Sequence, residues 1–245
     1  METVPSALQT YFAGLDVFTA IIAFLAGAVP AVFWVWFWLR EDRAHPEPLF
    51  MLLLAFIAGM AVVPLALPLQ ELAMHIYQGD NRILVWVVIE ETLKYALALG
   101  LVLWHREVDE PIDMVVYLIV IALGFAALEN TLFLYNPLVL GDYMQSLLTG
   151  GFRFLGATLL HVLASATIGM CLALTYYQPR AVQLAAGTGG LFVAIVLHYY
   201  FNVFIMDASG ETILSVFLFV WLGVIVLFLL FEKVKLLERA HTRRK

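Results

Sequence analysis

The residues best suited to chemistry are Glu90, Glu91 and Lys94, which lie inside an apolar run from 83 to 104. Placing charged side chains in hydrocarbon costs roughly 2.5–3.5 kcal/mol each on insertion scales. Such groups persist where they pair, face a protein interior or take part in a reaction. On a helix, Glu90 and Lys94 lie one turn apart on the same face, and Glu91 lies about 100° around the axis. One carboxylate can therefore be held by Lys94 while the other points elsewhere.

Four more polar side chains interrupt later apolar segments, and depth along each helix relates them to Glu90. At 1.5 Å per residue, Glu90 and His198 lie about 12 Å from one membrane face, Glu129 about 10 Å and His161 about 15 Å. Asn202 lies about 6 Å from the same face. We therefore predict that these side chains, from four helices, share one polar layer. If they form a single site, Phe125 and Tyr95 should lie in its wall, and the first, second and seventh spans should lie further from it.

This set of residue types favours hydrolysis. Cleaving a peptide bond needs an activated water, a general base and stabilisation of the oxyanion. Either Glu90 or Glu91 can be the base, the imidazoles can hold the water or a metal, and the amide of Asn202 suits an oxyanion. The set Glu129, His161 and His198 is also acceptable for zinc, with a fourth position open. Its spacing is not a local zinc motif such as H-E-x-x-H.

Other interpretations remain open. Each polar residue taken alone fits a structural role, such as a buried acid or a histidine bonded to a neighbouring helix. Taken together they also fit a proton- or ion-coupled transporter. A non-catalytic membrane scaffold with the fold of an enzyme is a third hypothesis.

Composition places these residues in a membrane protein. Apolar residues make up 63% of the 245 positions and charged residues 13%, against about 45–50% and 25% in soluble domains. The single cysteine, Cys171, excludes a disulfide framework. Seven apolar segments are long enough to span a bilayer. We predict an all-α, polytopic bundle with spans near 16–39, 49–69, 83–104, 112–135, 152–176, 181–206 and 212–231.

The distribution of basic residues predicts the orientation. Ten of the thirteen lie in the tail and in alternate connections, which end on one side of a seven-span bundle. Because cytoplasmic connections are enriched in Lys and Arg, we expect the N-terminus outside and the C-terminus in the cytoplasm. The chain then forms one integral-membrane domain, 1–245, with a catalytic-like core near 82–206. Its basic cytoplasmic tail, 232–245, is expected to be helical and to lie along anionic headgroups.

The order of these motifs resembles a known family. Glu90-Glu91-x-x-Lys94, Phe125-x-x-x-Glu129-Asn130, His161 and His198-x-x-x-Asn202 are similar to the motifs of the PrsW-type intramembrane proteases, relatives of the CAAX prenyl endopeptidases. Glu129 stands where the prenyl endopeptidases have a histidine, which is the PrsW variant. The resemblance covers about 82–206.

The resemblance implies a protease of the bacterial inner membrane, either a metalloprotease or a glutamate-dependent enzyme. Glu90 and Glu91 resemble the catalytic pair, with one oriented by Lys94. Glu129, His161 and His198 resemble the set that holds water or Zn²⁺, and Asn202 the oxyanion donor. The best-known member starts the cleavage of a membrane-bound anti-sigma factor. We therefore expect lipids and a single-span membrane protein as partners, and no nucleic acid.

Overall fold

The computed structural model describes residues 16–40, 46–206 and 210–242. They form a helical bundle of seven rods, one of which contains a π-helical turn. The helices are α1 (Val17–Leu39), α2 (Leu49–Ile76), α3 (Gly79–Leu101), α4 (Pro111–Val139), α5 (Tyr143–Phe152), α6 (Thr158–Leu174), α7 (Arg180–Met206) and α8 (Gly210–Thr242), with the π-turn at Arg153–Ala157 joining α5 to α6. The predicted polytopic all-α fold is confirmed.

Six of the described rods are long and apolar enough to cross a membrane, and α3 is the exception. Its 23 residues are about 34 Å long, enough to cross, but Glu90, Glu91 and Lys94 lie near its middle. Several helices extend beyond the predicted spans, and two of these extensions affect the site described below. The rod predicted at 152–176 begins at Tyr143, and α2 continues past residue 69 to Ile76.

Helix α4 is the centre of the bundle, since 94% of the residues in its most apolar stretch are buried. It lies against α1, α2 and α6. A Cβ on Gly59 would overlap the carbonyl oxygen of Ile121, and a Cβ on Gly124 that of Phe56. These glycines let α2 and α4 approach closely, as small residues do between membrane helices.

The two ends of the bundle differ in their basic residues. At one end, Trp38 stacks on Phe228 with ring centroids 4.8 Å apart, and the Arg180 guanidinium lies 5.0 Å over the Trp104 ring. At the opposite end, the Asp16 amide donates to the Tyr135 hydroxyl at 2.8 Å. The first end also carries Arg40, Arg106, Lys233 and Lys235.

These positions agree with the charge pattern on which the predicted orientation rests, while the orientation itself stays a prediction. The helical character expected for the tail is confirmed as far as Thr242. Arg43 and residues 243–245 lie outside the described part of the chain.

Candidate active site

Five of the seven residues singled out in the sequence form a connected polar cluster in the bundle. They come from three neighbouring helices around α4 and from α4 itself. Glu91 and Lys94 come from α3, Glu129 from α4, His161 from α6 and His198 from α7.

The centre of this cluster is the buried carboxylate of Glu91. Its Oε1 accepts hydrogen bonds from Lys94 Nζ and His198 Nδ1, each at 2.7 Å. Both Glu91 and Lys94 are completely buried. Because an ionised carboxylate only accepts, the proton of His198 lies on Nδ1 and leaves Nε2 as an acceptor. Lys94 thus holds Glu91, three residues earlier, and not Glu90.

Lys94 also orients His161. The Lys94 ammonium lies 3.2 Å from His161 Nδ1 and 4.0 Å above the Phe125 ring. An ammonium has only donors, so His161 Nδ1 accepts and its Nε2 carries the proton. That nitrogen lies 3.0 Å from Glu129 Oε2. The imidazole is therefore held at both ends, by Lys94 and by Glu129.

Glu90 is held differently, by a residue of α2. The side-chain amide nitrogen of Gln70, Nε2, donates to Glu90 Oε1 at 2.7 Å. The backbone carbonyl oxygen of Gln70 accepts from Trp86 Nε1 at 3.1 Å. The other oxygen, Glu90 Oε2, lies 3.9 Å from His198 Nε2. It is buried and has no hydrogen-bond partner among the described residues. Glu90 therefore keeps one carboxylate oxygen open.

Glu129 is paired with Arg153, which lies at the start of the span predicted at 152–176. Arg153 forms an ion pair with the Glu129 carboxylate and also donates from Nε to the Asn130 side chain. Its guanidinium lies 3.9 Å over the Phe133 ring. No pattern in the sequence around Arg153 indicates that its side chain contacts Glu129.

A cavity of about 600 Å³ opens beside the cluster. Phe133 and Phe152, about half exposed, lie in its wall, so the cavity reaches the outer surface of the bundle. Its polar lining consists of Gln70, Arg82, Glu90, Glu129, Arg153, His161, His198 and Asn202. Glu91 and Lys94 are not in this lining, so they support the wall from behind.

Asn202 therefore joins the site through the cavity, one helical turn beyond His198. Phe125 was predicted to be a wall residue, and it lies in the wall. Tyr95 was predicted there as well, but its hydroxyl instead points toward Gly187 of α7. The reason is helical phase, since Tyr95 lies about 140° around α3 from Glu90, which lines the cavity.

The surrounding helices differ from the expectation that the first, second and last spans stay further away. Helix α2 supplies Val63, Ala66, Leu67 and Gln70 to the cavity wall, and α8 supplies Phe217. That expectation was wrong for α2 because its predicted end at residue 69 left Gln70 outside the span. A glutamine that continues an apolar helix was the signal available in the sequence.

Four ligand atoms, one each from Glu90, Glu91, His161 and His198, lie within 4.8 Å of one another. Two carboxylates and two imidazoles suit a zinc site. Glu91 Oε2, like Glu90 Oε2, is buried without a hydrogen-bond partner in the described residues. Glu129, expected in the metal set, is not in this group, and its Oε2 is paired with Arg153 and His161.

Comparison with known proteins gives one consistent result. The profile of the family described as PrsW family intramembrane metalloprotease matches residues 47–231. The chain is 26% identical over 203 residues to Protease PrsW of Bacillus subtilis (strain 168), covering 80% of this chain and 89% of the relative.

Two further relatives match over shorter stretches. Protease PrsW of Clostridioides difficile (strain 630) is 26% identical over 121 residues, or 46% of this chain and 50% of the relative. Protease PrsW of Geobacillus kaustophilus (strain HTA426) is 33% identical over 113 residues, or 44% of this chain and 50% of the relative. These two alignments span half the length of the relatives. No solved structure gives a significant match.

Proposed function

Because this chain belongs to the PrsW family of intramembrane metalloproteases, we propose that it hydrolyses a peptide bond of a membrane protein with water activated by Glu90. One observation carries this proposal. Glu90 lies in the wall of a polar cavity, and its buried Oε2 has no hydrogen-bond partner among the described residues. A general base must lie within hydrogen-bond reach of the proton it removes, roughly 2.6–3.2 Å. Glu90 lines the cavity, so a water that enters there is the partner available to its unpartnered oxygen.

Glu90 takes the proton of the attacking water as the water oxygen bonds to the scissile carbonyl carbon. The same carboxyl then gives a proton to the leaving amine as the carbon–nitrogen bond breaks. This assigns the base to Glu90 and not to Glu91. Glu91 also has an unpartnered oxygen, but its side chain is completely buried and does not line the cavity.

Glu91 and Lys94 position the imidazoles. Glu91 fixes His198 with Nδ1 protonated, so that Nε2 faces Glu90 Oε2 across 3.9 Å. Lys94 fixes His161 from one side and Glu129 fixes it from the other. The oxyanion that forms at the carbonyl needs a preorganised donor, and the Asn202 amide in the cavity wall takes this role.

The residues also fit a divalent metal such as Zn²⁺, which the unpartnered oxygens of Glu90 and Glu91 and His198 Nε2 would hold, with a fourth position left for water. His161 would stay outside this set, because Lys94 and Glu129 engage both of its ring nitrogens. When bound, the ion would supply Lewis acidity and lower the pKa of a coordinated water. Metal analysis of the purified protein tests this part of the proposal. One equivalent of zinc that His198→Ala removes supports it, whereas fully active protein free of metal contradicts it.

The substrate we propose is a protein with a single apolar transmembrane segment, and a membrane-bound anti-sigma factor is one candidate. A second cavity of about 660 Å³, between α7 and α8, has almost entirely apolar walls. It shares Phe201 with the polar cavity. Tyr200, Phe204 and Phe219 in its wall are about half exposed on the outer surface of the bundle. A lipid-embedded segment can therefore approach along this cleft, with Phe201 between it and Glu90.

Chemical cross-linking tests this route. A Cys171→Ala background carrying Val196→Cys and Ser215→Cys, closed with a bis-maleimide, should lose cleavage of a transmembrane substrate and keep cleavage of a short soluble peptide. The singly substituted proteins, treated in the same way, are the controls. Unchanged cleavage of the transmembrane substrate in the closed protein would refute the route and leave the hydrolysis intact.

We further propose that the protein lies in the bacterial inner membrane with its C-terminus in the cytoplasm. The polar cavity then opens in the outer half of the bilayer, at the end opposite Arg40, Arg106, Arg180, Lys233 and Lys235. Reporter fusions at Glu2 and Lys245 should report opposite sides of the membrane. The same side for both would mean that α3 does not cross.

The central experiment compares purified protein with Glu90→Gln, reconstituted with single-span substrates. A general base contributes about 10²–10⁴ in rate, so Glu90→Gln should lower cleavage by at least about 100-fold without unfolding the protein. Glu107→Gln, at a partly exposed acid outside the cavity, is the control. Ion flux in liposomes with no cleaved product would favour a transporter, and neither activity would favour a scaffold.

A further inference from the structure

Arg153 is enclosed by α4 residues that neighbour the proposed site. Its side chain is 14% exposed. Nη2 donates to the Glu129 carboxylate, Nε donates to Asn130 Oδ1, and the guanidinium stacks on Phe133. Asn130 in turn donates from Nδ2 to Thr158 Oγ1 at 3.1 Å. The guanidinium is therefore fixed in position and in plane.

The π-turn aims Arg153 at the site. Over eight residues a regular α-helix turns through about 800°, which would leave Arg153 and His161 about 80° apart around the axis. The turn Arg153–Ala157 closes with the wider bond from the Thr158 amide to the Arg153 carbonyl. A π-turn advances less per residue, so both side chains reach the same oxygen, Glu129 Oε2. Such turns are frequent at functional sites.

Glu129 thus connects Arg153 to His161. We propose that Arg153 is a positioning residue, which fixes the Glu129 carboxylate and, through it, the ring orientation and tautomer of His161. The proposal rests on the proposed hydrolysis, in which His161 is part of the polar wall beside Glu90. Arg153 itself does not contact the reacting atoms.

The guanidinium suits this task better than an ammonium would. Its donors lie in one rigid plane, and two of them engage Glu129 and Asn130 at once. A lysine ammonium is a flexible point charge and keeps the charge pairing without the fixed geometry. Residues that orient ligands or catalytic groups typically contribute about 10–100-fold to activity.

The first experiment measures cleavage by Arg153→Gln and Arg153→Lys. We expect kcat to fall about 10–100-fold in Arg153→Gln, with KM within about twofold, and Arg153→Lys to restore it only in part. Arg106→Gln, which breaks an exposed arginine–carboxylate pair at the other end of the bundle, is the matched control. Cleavage within twofold of the parent protein in Arg153→Gln would overturn the proposal.

A double-mutant cycle tests the path through Glu129. If Arg153 acts by fixing Glu129, Arg153→Gln should have little further effect in a Glu129→Gln background. Multiplicative losses would show that Arg153 acts independently, which contradicts the proposal. Should Arg153→Gln not fold, Arg153→Lys takes its place in the cycle.

The third readout does not depend on cleavage. In ¹⁵N-histidine spectra, His161 should show one fixed tautomer, protonated at Nε2, in the parent protein and exchange between tautomers in Arg153→Gln. A His161→Asn spectrum assigns the signal. If no offered substrate is cleaved, the proposed function fails while this measurement still decides the role of Arg153. An unchanged fixed tautomer in Arg153→Gln would reject that role.

Discussion

Acidic side chains lie at two places along α4, and their partners differ. Near the end of α4, Glu129 meets Arg153 and His161 beside the polar cavity. Near its start, Asp113 accepts from the backbone amides of Asp109 and Glu110, both at 2.9 Å. At that end the Tyr117 hydroxyl also donates to the Glu47 carboxylate.

The difference lies in what the acids leave unbound. Asp113 is used by the backbone at a helix N-terminus, where the first amides of any helix need acceptors. In the candidate site, by contrast, Glu90 and Glu91 each keep one buried oxygen without a partner in the described residues. An unsatisfied buried oxygen is costly. An acid that has such an oxygen and also lines a cavity, as Glu90 does, is therefore a better candidate for a reactive acid than one that is only buried.

The largest expected effect comes from the buried pair of Lys94 with Glu91. Removing one partner of a buried ion pair leaves an uncompensated charge and costs about 3–5 kcal/mol. Lys94→Met should lower the free energy of unfolding by that amount and abolish cleavage. The double variant Lys94→Met with Glu91→Leu should recover most of the stability and none of the cleavage, measured by unfolding in detergent and by substrate assay.

The chain contains a matched control for this pair. Lys235 and Glu232 have the same i,i+3 spacing at 3.1 Å but are 22% and 66% exposed. Exposed pairs contribute about 0–1 kcal/mol, so Lys235→Met should change stability by less than that. Equal losses from both substitutions would show that burial is not what makes the pair at the site important.

The sequence predicted more of this site than of its supports. The shared depth of Glu90, Glu129, His161 and His198 follows from helix length and regular rise, so their convergence could be predicted. The partner of Lys94 could not, because Glu90 at i−4 and Glu91 at i−3 are both within reach on a helix.

Two supporting residues, Gln70 and Arg153, escaped the sequence analysis for identifiable reasons. Gln70 lies one residue beyond the apolar segment predicted for α2. Arg153 depends on a π-turn that hydrophobic periodicity does not encode. The packing that brings α2 beside α3 and α4 depends on contacts distant in sequence, and no local pattern specifies them.

A smaller effect is expected at the contact between α2 and α4, which connects the two acidic regions. A Cβ on Gly124 would overlap the backbone carbonyl of Phe56, so Gly124→Ala must push the helices apart. Overpacking of this kind costs about 1–3 kcal/mol. Because α2 also carries Gln70, we expect cleavage to fall together with stability.

Gly100 in α3 provides the control for that substitution. Around Gly100 no atom lies within 4 Å of an added Cβ. There Ala should be neutral or stabilise the helix by up to about 1 kcal/mol, since Gly is a poor helix former. If Gly124→Ala behaves like Gly100→Ala, the close approach of α2 to α4 does not support the site.

The smallest effect is expected at Asp113. Losing a side-chain acceptor at a helix N-terminus costs about 0.5–2 kcal/mol, so Asp113→Ala should lower the free energy of unfolding by about 1 kcal/mol. Asp113→Asn keeps an acceptor oxygen and should cost less. Both variants should cleave substrate within twofold of the parent protein, because Asp113 binds backbone amides far from the polar cavity. A folded Asp113→Asn protein without activity would show that the second acidic region takes part in the reaction. The distinction between open and capped acids would then fail.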